Sequence, residues 1–560
     1  MGKGCELSEM ILSNSIPRIF RNRSGRILGL GGLAAISLVS LLGLAWLALL
    51  MRPEARRVQA TEGSDSTVRI YCAAGVAKPV QLVAEKFNAE FGADVQIVRT
   101  GGSGELAGLI ATEVQTGLAD SGVFGADLFV SADDRLIDIA HEQRRIAERF
   151  ALARQVPVIA VLASSDCQVG SLSQLVDSGI RFGIASERAA VGRLVRQIAK
   201  KQGCLEPLEA NKKTDAENVM TLAQSLVAGG LDAAIIWDTT VAQVNQGNES
   251  PILKTLAIVS SDPAAVSTIA LGVVATSKNP TSALKFARYL TAAQTAGESW
   301  ADFGFQPIAG DPWEEVPEVH LYFGSMFTPV LEESVRRFAQ REGVNVYPRW
   351  EGCGKLVAAM KGIQDQSLFP DAYMACDLQF VQQVQSSFDT PIVLSTNELV
   401  LAVASQKKDS IRSVDGLAEP GLRIGICDPE QSALGMLTKE MFSQPPYSGW
   451  YDRLRAQASV TVDVGPTLVS QLLAGGLDVA IVYRSNVMAD SNARSALTLV
   501  SLQDSNYSKA TQSWTIAKQS KHDQLLGRLL EWITTAEKAN AFRENGFSWQ
   551  YQNSSGVSDH

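Results

Sequence analysis

Histidine and closely spaced cysteine are what this chain has least of. Its 560 residues carry four histidines, His141, His320, His522 and His560, which form neither HxxxH nor HExxH. Its seven cysteines (Cys5, Cys72, Cys167, Cys204, Cys353, Cys376 and Cys427) are scattered and include no CxxC. A zinc site is left without support. A Ser/His/Asp triad is equally starved, because no histidine recurs beside a G-x-S-x-G elbow. Basic runs are missing beyond the N-terminus and the formal charge is −9, so nucleic acid is not an expected partner. With 46% hydrophobic and 19% charged residues, the composition is that of folded domains. Cys167 and Cys204 either pair, if this part of the chain is exported, or stand as two separate buried thiols.

One long hydrophobic run is present. Ile27–Met51 holds no charge and is long enough to cross a bilayer as a helix. Lys3, Arg18, Arg21, Arg23 and Arg26 precede it, which keeps the N-terminus in the cytoplasm. A cleavable signal peptide is the rival reading. Its apolar region is usually shorter, and the small-x-small site at Val58–Ala60 is distant from the run. The expectation is a cytoplasmic segment over 1–26, a transmembrane helix over 27–51 and a polar tether over 52–65, with the remainder outside the cytoplasm.

The rest of the sequence is written twice. "LVAGGLDAAIIWD" from Leu226 returns as "LLAGGLDVAIVYR" from Leu472. "AAGVAKPV" (Ala73–Val80) matches "FGSMFTPV" (Phe323–Val330), and "GGSGELAGLI" (Gly101–Ile110) matches "EGCGKLVAAM" (Glu351–Met360). "ADLFVSAD" (Ala126–Asp133), "RFGIAS" (Arg181–Ser186) and "FGFQ" (Phe303–Gln306) return as "PDAYMACD" (Pro370–Asp377), "RIGICD" (Arg423–Asp428) and "NGFSWQ" from Asn545. Ordered matches with small drifts mark a duplication with loop insertions and deletions. The repeats span 66–311 and 318–552. "AGDPWEEVPE" joins them, its prolines and acids suiting a linker, and each repeat is large enough to fold by itself.

Strand and helix alternate within each repeat. "VRIYCAA" reads as a strand, and Pro79 opens a helix whose Val80, Val83 and Phe87 share one face. "ADVQIVRT", "ADLFVSA", "VPVIAVLAS", "IRFGIA" and "DAAIIWD" read as further strands. The order implies an α/β fold with mostly parallel sheets, ligand sites at strand C-terminal ends, and two lobes around a cleft in each repeat.

The polar spots that could carry chemistry fall just after strands. "TGGSGEL" places Ser103 at a helix start, where N–H groups are unpaired and the dipole is positive. Ser103 there either caps its helix or helps to hold a small anion. Ser325 in "YFGSMFTP" has the same choice, or is a turn serine. Such a site needs no positive net charge, because neutral dipoles supply the field. Asp127 and Asp371 recur at strand starts as turn carboxylates. Glu187 and Glu430 are either ligands or solvated loop acids. An enzyme could use Cys353, whose place at a helix start lowers a thiol's pKa, but no histidine or resolving cysteine stands near it in the sequence.

Taken in order, "AAGVAKP", "GGSGELAGLI", "ADLFVSADD", "GGLDAAIIWD" and "ALKFARYLTAAQTAGESWADFGF" resemble the periplasmic molybdate-binding proteins of ABC transporters. The second repeat resembles them too, through "DPEQSALG" (Asp428–Gly435), "GGLDVAIVYRS" and "ENGF". The resemblance implies tandem type II solute-binding units behind a membrane anchor, in the inner membrane with the bulk of the chain periplasmic. It implies no enzyme activity, no cofactor and no bare metal ion. The ligand implied is a tetrahedral oxyanion, molybdate or tungstate, held by hydroxyls and backbone N–H groups and passed to an ABC permease and its ATPase. A sensor or scaffold using the same fold is the alternative. The implied site residues are Gly75, Ser103, Val191 and Trp237 in the first repeat and Ser325, Cys353, Leu434 and Tyr483 in the second. The family's first serine is matched by Ser325 but not by Gly75. Its second is matched by Ser103 but replaced by Cys353. Its tyrosine is matched by Tyr483 but replaced by Trp237.

Overall fold

The computed structural model describes residues 67–117, 125–502 and 508–552. The expected transmembrane helix over 27–51, with its flanking segments, lies outside the described residues. Among those described, no helix is long and apolar enough to cross a membrane.

The strands of the first repeat are β1 (Val68–Ala73), β2 (Val95–Gly101), β3 (Leu128–Ser131), β4 (Ile146–Gln155), β5 (Pro157–Leu162), β6 (Phe182–Ala185), β7 (Thr214–Ala216), β8 (Ala233–Trp237), β9 (Leu253–Ile258), β10 (Ser267–Val274) and β11 (Gln306–Pro307). They form two sheets, one per lobe, in the orders β11-β4-β10-β3-β1-β2 and β7-β6-β8-β5-β9. The second repeat continues with β12 (Glu318–Gly324), β13 (Asn345–Glu351), β14 (Ala372–Ala375), β15 (Ile392–Ala404), β16 (Ile424–Cys427), β17 (Ala458–Val462), β18 (Val479–Tyr483), β19 (Leu497–Ser501), β20 (Lys509–Ile516) and β21 (Phe547–Trp549). Its order, β13-β12-β14-β20-β15-β18-β16-β17, repeats that of the first. One difference lies at the crossing between lobes. The first repeat breaks into β4 and β5 around Val156, whereas β15 runs through both lobes of the second and pairs with β20 at one end and β18 at the other.

The sheets are mixed, which corrects the expectation of mostly parallel strands. β1 pairs parallel with β2 and β3, and β6 with β7 and β8. The crossing strands β4 and β5 and the returning β10 pair antiparallel with their neighbours. A chain that leaves one lobe and comes back must enter each sheet against the local βαβ direction.

The helices follow their apolar spacing. Ala77–Phe91 carries Pro79 in its first turn, buries Val80, Val83 and Phe87, and ends at Gly92 with φ +61°. Its counterpart Thr328–Glu342 carries Pro329, buries Leu331, Val335 and Phe338, and ends at Gly343 with φ +66°. Both glycines take the left-handed turn that side chains resist. Each buried Val, Leu or Phe contributes about 1.5–3 kcal/mol of transfer free energy.

Residues 312–317 are not a loose linker. Asp311 accepts hydrogen bonds from the backbone N–H groups of Gln524 and Leu525, both at 2.9 Å, at the start of the helix Asp523–Ile533. Trp313 packs edge-on against Tyr289, with ring centroids 4.8 Å apart, and Glu314 pairs with Lys521. The two repeats also meet through Arg149–Glu531 at 2.7 Å and Arg341–Glu148 at 3.0 Å. The short connection holds the repeats side by side, so their facing acids and bases pair.

Candidate functional site

The structure gathers the eight expected residues into two clefts, four in each. Gly75, Ser103, Val191 and Trp237 line the cleft of the first repeat, with Ala132, Ala190 and Asn218 beside them. Ser325, Cys353, Leu434 and Tyr483 line that of the second, with Cys376, Ser432 and Asn486. Both sit at strand C-terminal ends between the lobes. The cavities are small, about 30 Å³ and about 20 Å³.

Helix starts converge on each cavity. Ser103–Thr116 and Ala190–Lys201 begin at the first, and Cys353–Gly362, Ala433–Ser443 and Gly465–Leu473 at the second. None of these five has a side-chain cap, so, apart from the Gly104 N–H, which goes to the Arg188 carbonyl, no cap takes up their first-turn N–H groups, and the positive ends of their dipoles meet. A third helix at the first cavity, Val219–Val227, is capped by the Asn218 side chain.

Ser103 does not cap its helix. Gly102 holds the cap position, and the buried Ser103 hydroxyl instead accepts from the Ala132 backbone N–H at 3.1 Å. Its own proton is left to donate. Cys353 repeats the arrangement with sulfur, accepting from the Cys376 N–H at 3.0 Å. The Tyr483 hydroxyl is buried and has no hydrogen-bond partner among the described residues. Burial holds its ionisation well above the usual phenol range, so it remains a donor. Asp127 and Asp371 serve the fold, accepting from the backbone N–H of Arg69 and His320 at 2.9 and 2.8 Å. Glu187 and Glu430 are exposed. Cys167 and Cys204 are both unpaired thiols.

The clefts are shut. Gly104 N–H donates to the Arg188 carbonyl of the opposite lobe at 3.3 Å, and a Cβ on Gly104 would fall 2.7 Å from that oxygen. A Cβ on Gly354 would likewise fall 2.8 Å from the Gln431 carbonyl oxygen, which is why glycine recurs there. Charge closes the clefts as well. Arg193 reaches across to Asp133 in the first repeat, and Lys355 to Asp463 in the second.

These duplicated, two-lobed clefts have a counterpart among known proteins. Residues 68–306 and again 319–548 match the family of bacterial extracellular solute-binding proteins. The chain belongs to that family. It is a solute-binding protein of the ABC-transporter type, present in two copies within one chain. A Haemophilus influenzae protein named only as a binding protein is 28% identical over 174 residues, covering 30% of this chain and 68% of its own. Among solved structures, the periplasmic molybdate-binding protein of Azotobacter vinelandii is 18% identical with a TM-score of 0.35, covering 42% of this chain and all of its own. Iron-bound HitA of Pseudomonas aeruginosa (18%, 0.36, 43% and 86%) and a periplasmic thiamin-binding protein (17%, 0.37, 45% and 87%) are similar to the same degree. At these scores the ligand of none of them carries over.

Ala132, Ser432, Asn486 and Cys376 are cleft residues that no motif of the sequence singled out. The duplication held a signal for Cys376, since Asp133 and Asp377 align and the residue before each follows a strand end.

Proposed function

We propose that the chain captures a small tetrahedral oxyanion, molybdate or tungstate first, and delivers it to an ABC permease and its ATPase. The second cleft is the principal site. One observation carries this reading: three uncapped helix starts and the partnerless Tyr483 hydroxyl face a single small cavity. Converging N–H dipoles with neutral hydroxyls favour a compact anion. A cation would call for carboxylates or imidazoles. No such group lines the first cleft, and in the second Asp463 is already paired with Lys355. The uncharged run over 27–51 anchors the chain in the inner membrane, with both repeats on the periplasmic side.

The first repeat supports a second reading. Ser103 is the single hydroxyl among the four expected positions there, and Trp237 fills the place of Tyr483. That repeat serves as a scaffold or takes a different solute.

Titration calorimetry of the full chain with molybdate, tungstate, sulfate and phosphate tests the proposal. One strong site for molybdate or tungstate is expected, weakened about ten- to a hundredfold in Ser325→Ala. No heat from any of the four at millimolar concentration rejects it.

A further inference from the structure

Two thiols share the floor of the second cleft. Cys353 opens its helix where the first repeat has Ser103, and Cys376 follows β14 where the first has Ala132. Both are unpaired and buried, at 0% and 5% exposure, and both line the cavity. A third residue bounds their separation. A Cβ on Gly324 would fall 2.2 Å from Cys376 Sγ and 3.1 Å from Cys353 Sγ. The two sulfurs therefore lie within ~5 Å of each other, a gap that side-chain rotation can close to disulfide length.

The duplication shows how that space is kept. The first repeat has Ala74 and Ala132 where the second has Gly324 and Cys376. One methyl is given up and one sulfur gained. Any side chain at 324 would displace the thiol.

Cys353 is held against Cys376. Its sulfur already accepts the Cys376 N–H and sits at the positive end of a ten-residue helix. The Tyr373 hydroxyl is fully buried, and its ionisation is opposed by burial and by the neighbouring Cys353 and Cys376. That phenol can turn its O–H toward a thiolate.

We propose that Cys353 and Cys376 form a reversible disulfide in the floor of the second cleft, and that closing it weakens oxyanion binding there. With the lobes apart and the cleft open, the Cys353 thiolate attacks a disulfide, either a small one or that of an oxidised thiol oxidoreductase, and expels one of its thiolates. Cys376 then gives up its proton and displaces the second. Two S–H bonds become one S–S bond, and the oxidant's disulfide becomes two thiols. The cavity loses the Cys353 S–H, which stands where Ser103 holds its hydroxyl. Only the effect on affinity rests on the oxyanion reading; the bond itself does not.

The test uses full chain purified in detergent under reductant, then exposed to oxidised glutathione without ligand. Free thiols are alkylated, and tryptic peptides are weighed. The expected product joins Trp350–Lys355 to Gly362–Lys407 with the loss of two hydrogens, and dithiothreitol reverses it. Alkylation of both Cys353 and Cys376 after oxidation overturns the proposal. Molybdate affinity should fall about tenfold on oxidation, and not at all in Cys353→Ser. An unchanged affinity in cross-linked protein overturns the coupling. A cross-link in protein that binds no anion in either state leaves the disulfide established and rejects the oxyanion reading instead.

Discussion

Arg288 of the first repeat donates to Glu342 of the second at both its carbonyl, 2.7 Å away, and its carboxylate, 3.1 Å away. Arg528 meets the same carboxylate at 2.7 Å and lies 4.3 Å over the Phe150 ring. Exposure is 1% for Glu342 and 7% for each arginine, so this triad is sealed by the contact between repeats. Burial works against the Glu342 charge, but the two guanidinium groups hold its pKa below the usual range.

Glu342→Ala should therefore destabilise the chain by about 3–5 kcal/mol, because it strands two buried cations. Urea unfolding followed by tryptophan fluorescence measures the loss. An effect below about 1 kcal/mol, the size of an exposed pair, would show that the seal is absent in solution. Repeats expressed separately should lose stability for the same reason, contrary to what their size alone implies.

Acid should loosen the first cleft. Burial would raise the Asp133 carboxyl, but hydrogen bonds and charge from Arg135 and Arg193 outweigh it and hold the pKa below its ordinary value. A depressed folded pKa gives stability that is complete above the unfolded value of about 4 and lost as pH falls through the folded one. Wild type should melt above Arg193→Ala at pH 6, and the gap should shrink below about pH 4. A gap that stays constant to pH 3 contradicts the latch.

Much of this site was legible because the sequence is its own comparison. Aligning the repeats picks out Gly75 with Ser325, Ser103 with Cys353 and Trp237 with Tyr483, and their strand ends fix where they converge. What stayed hidden depends on contacts that no local pattern encodes. Cys353 and Cys376 belong to different strand–helix units and meet only because β12 lies between β13 and β14. Arg288, Glu342 and Arg528 read singly as ordinary helix-surface charges. Their burial needs the repeats to be docked, which alternation of strand and helix does not specify.

The topology of the N-terminus is open to a direct test. The uncharged run over 27–51 and the basic residues before it predict that Thr61 onward lies outside the cytoplasm. A reporter active only after export, fused behind Ser66, should be active. Activity of a cytoplasm-dependent reporter at the same point would overturn membrane anchoring in this orientation, and delivery to a permease with it.

The second cleft should trade stability for affinity at Tyr483. Its hydroxyl is buried without a partner among the described residues, and such a group costs about 1–3 kcal/mol while no ligand satisfies it. Tyr483→Phe should accordingly raise the stability of the ligand-free protein by roughly that amount. If the proposed oxyanion binds there, the same hydroxyl donates to it, and a hydrogen bond to a charged group contributes about 1.5–3 kcal/mol. Molybdate affinity should fall about ten- to a hundredfold in Tyr483→Phe, and similarly in Ser325→Ala. Ser103→Ala should leave binding at the second cleft unchanged, since Ser103 lies in the other repeat. Thermal unfolding with and without molybdate reads both effects at once. The free proteins should rank Tyr483→Phe above wild type, and saturating ligand should reverse the order. If Tyr483→Phe is less stable without ligand and binds as wild type does, the hydroxyl belongs to the packing of the core and not to the site.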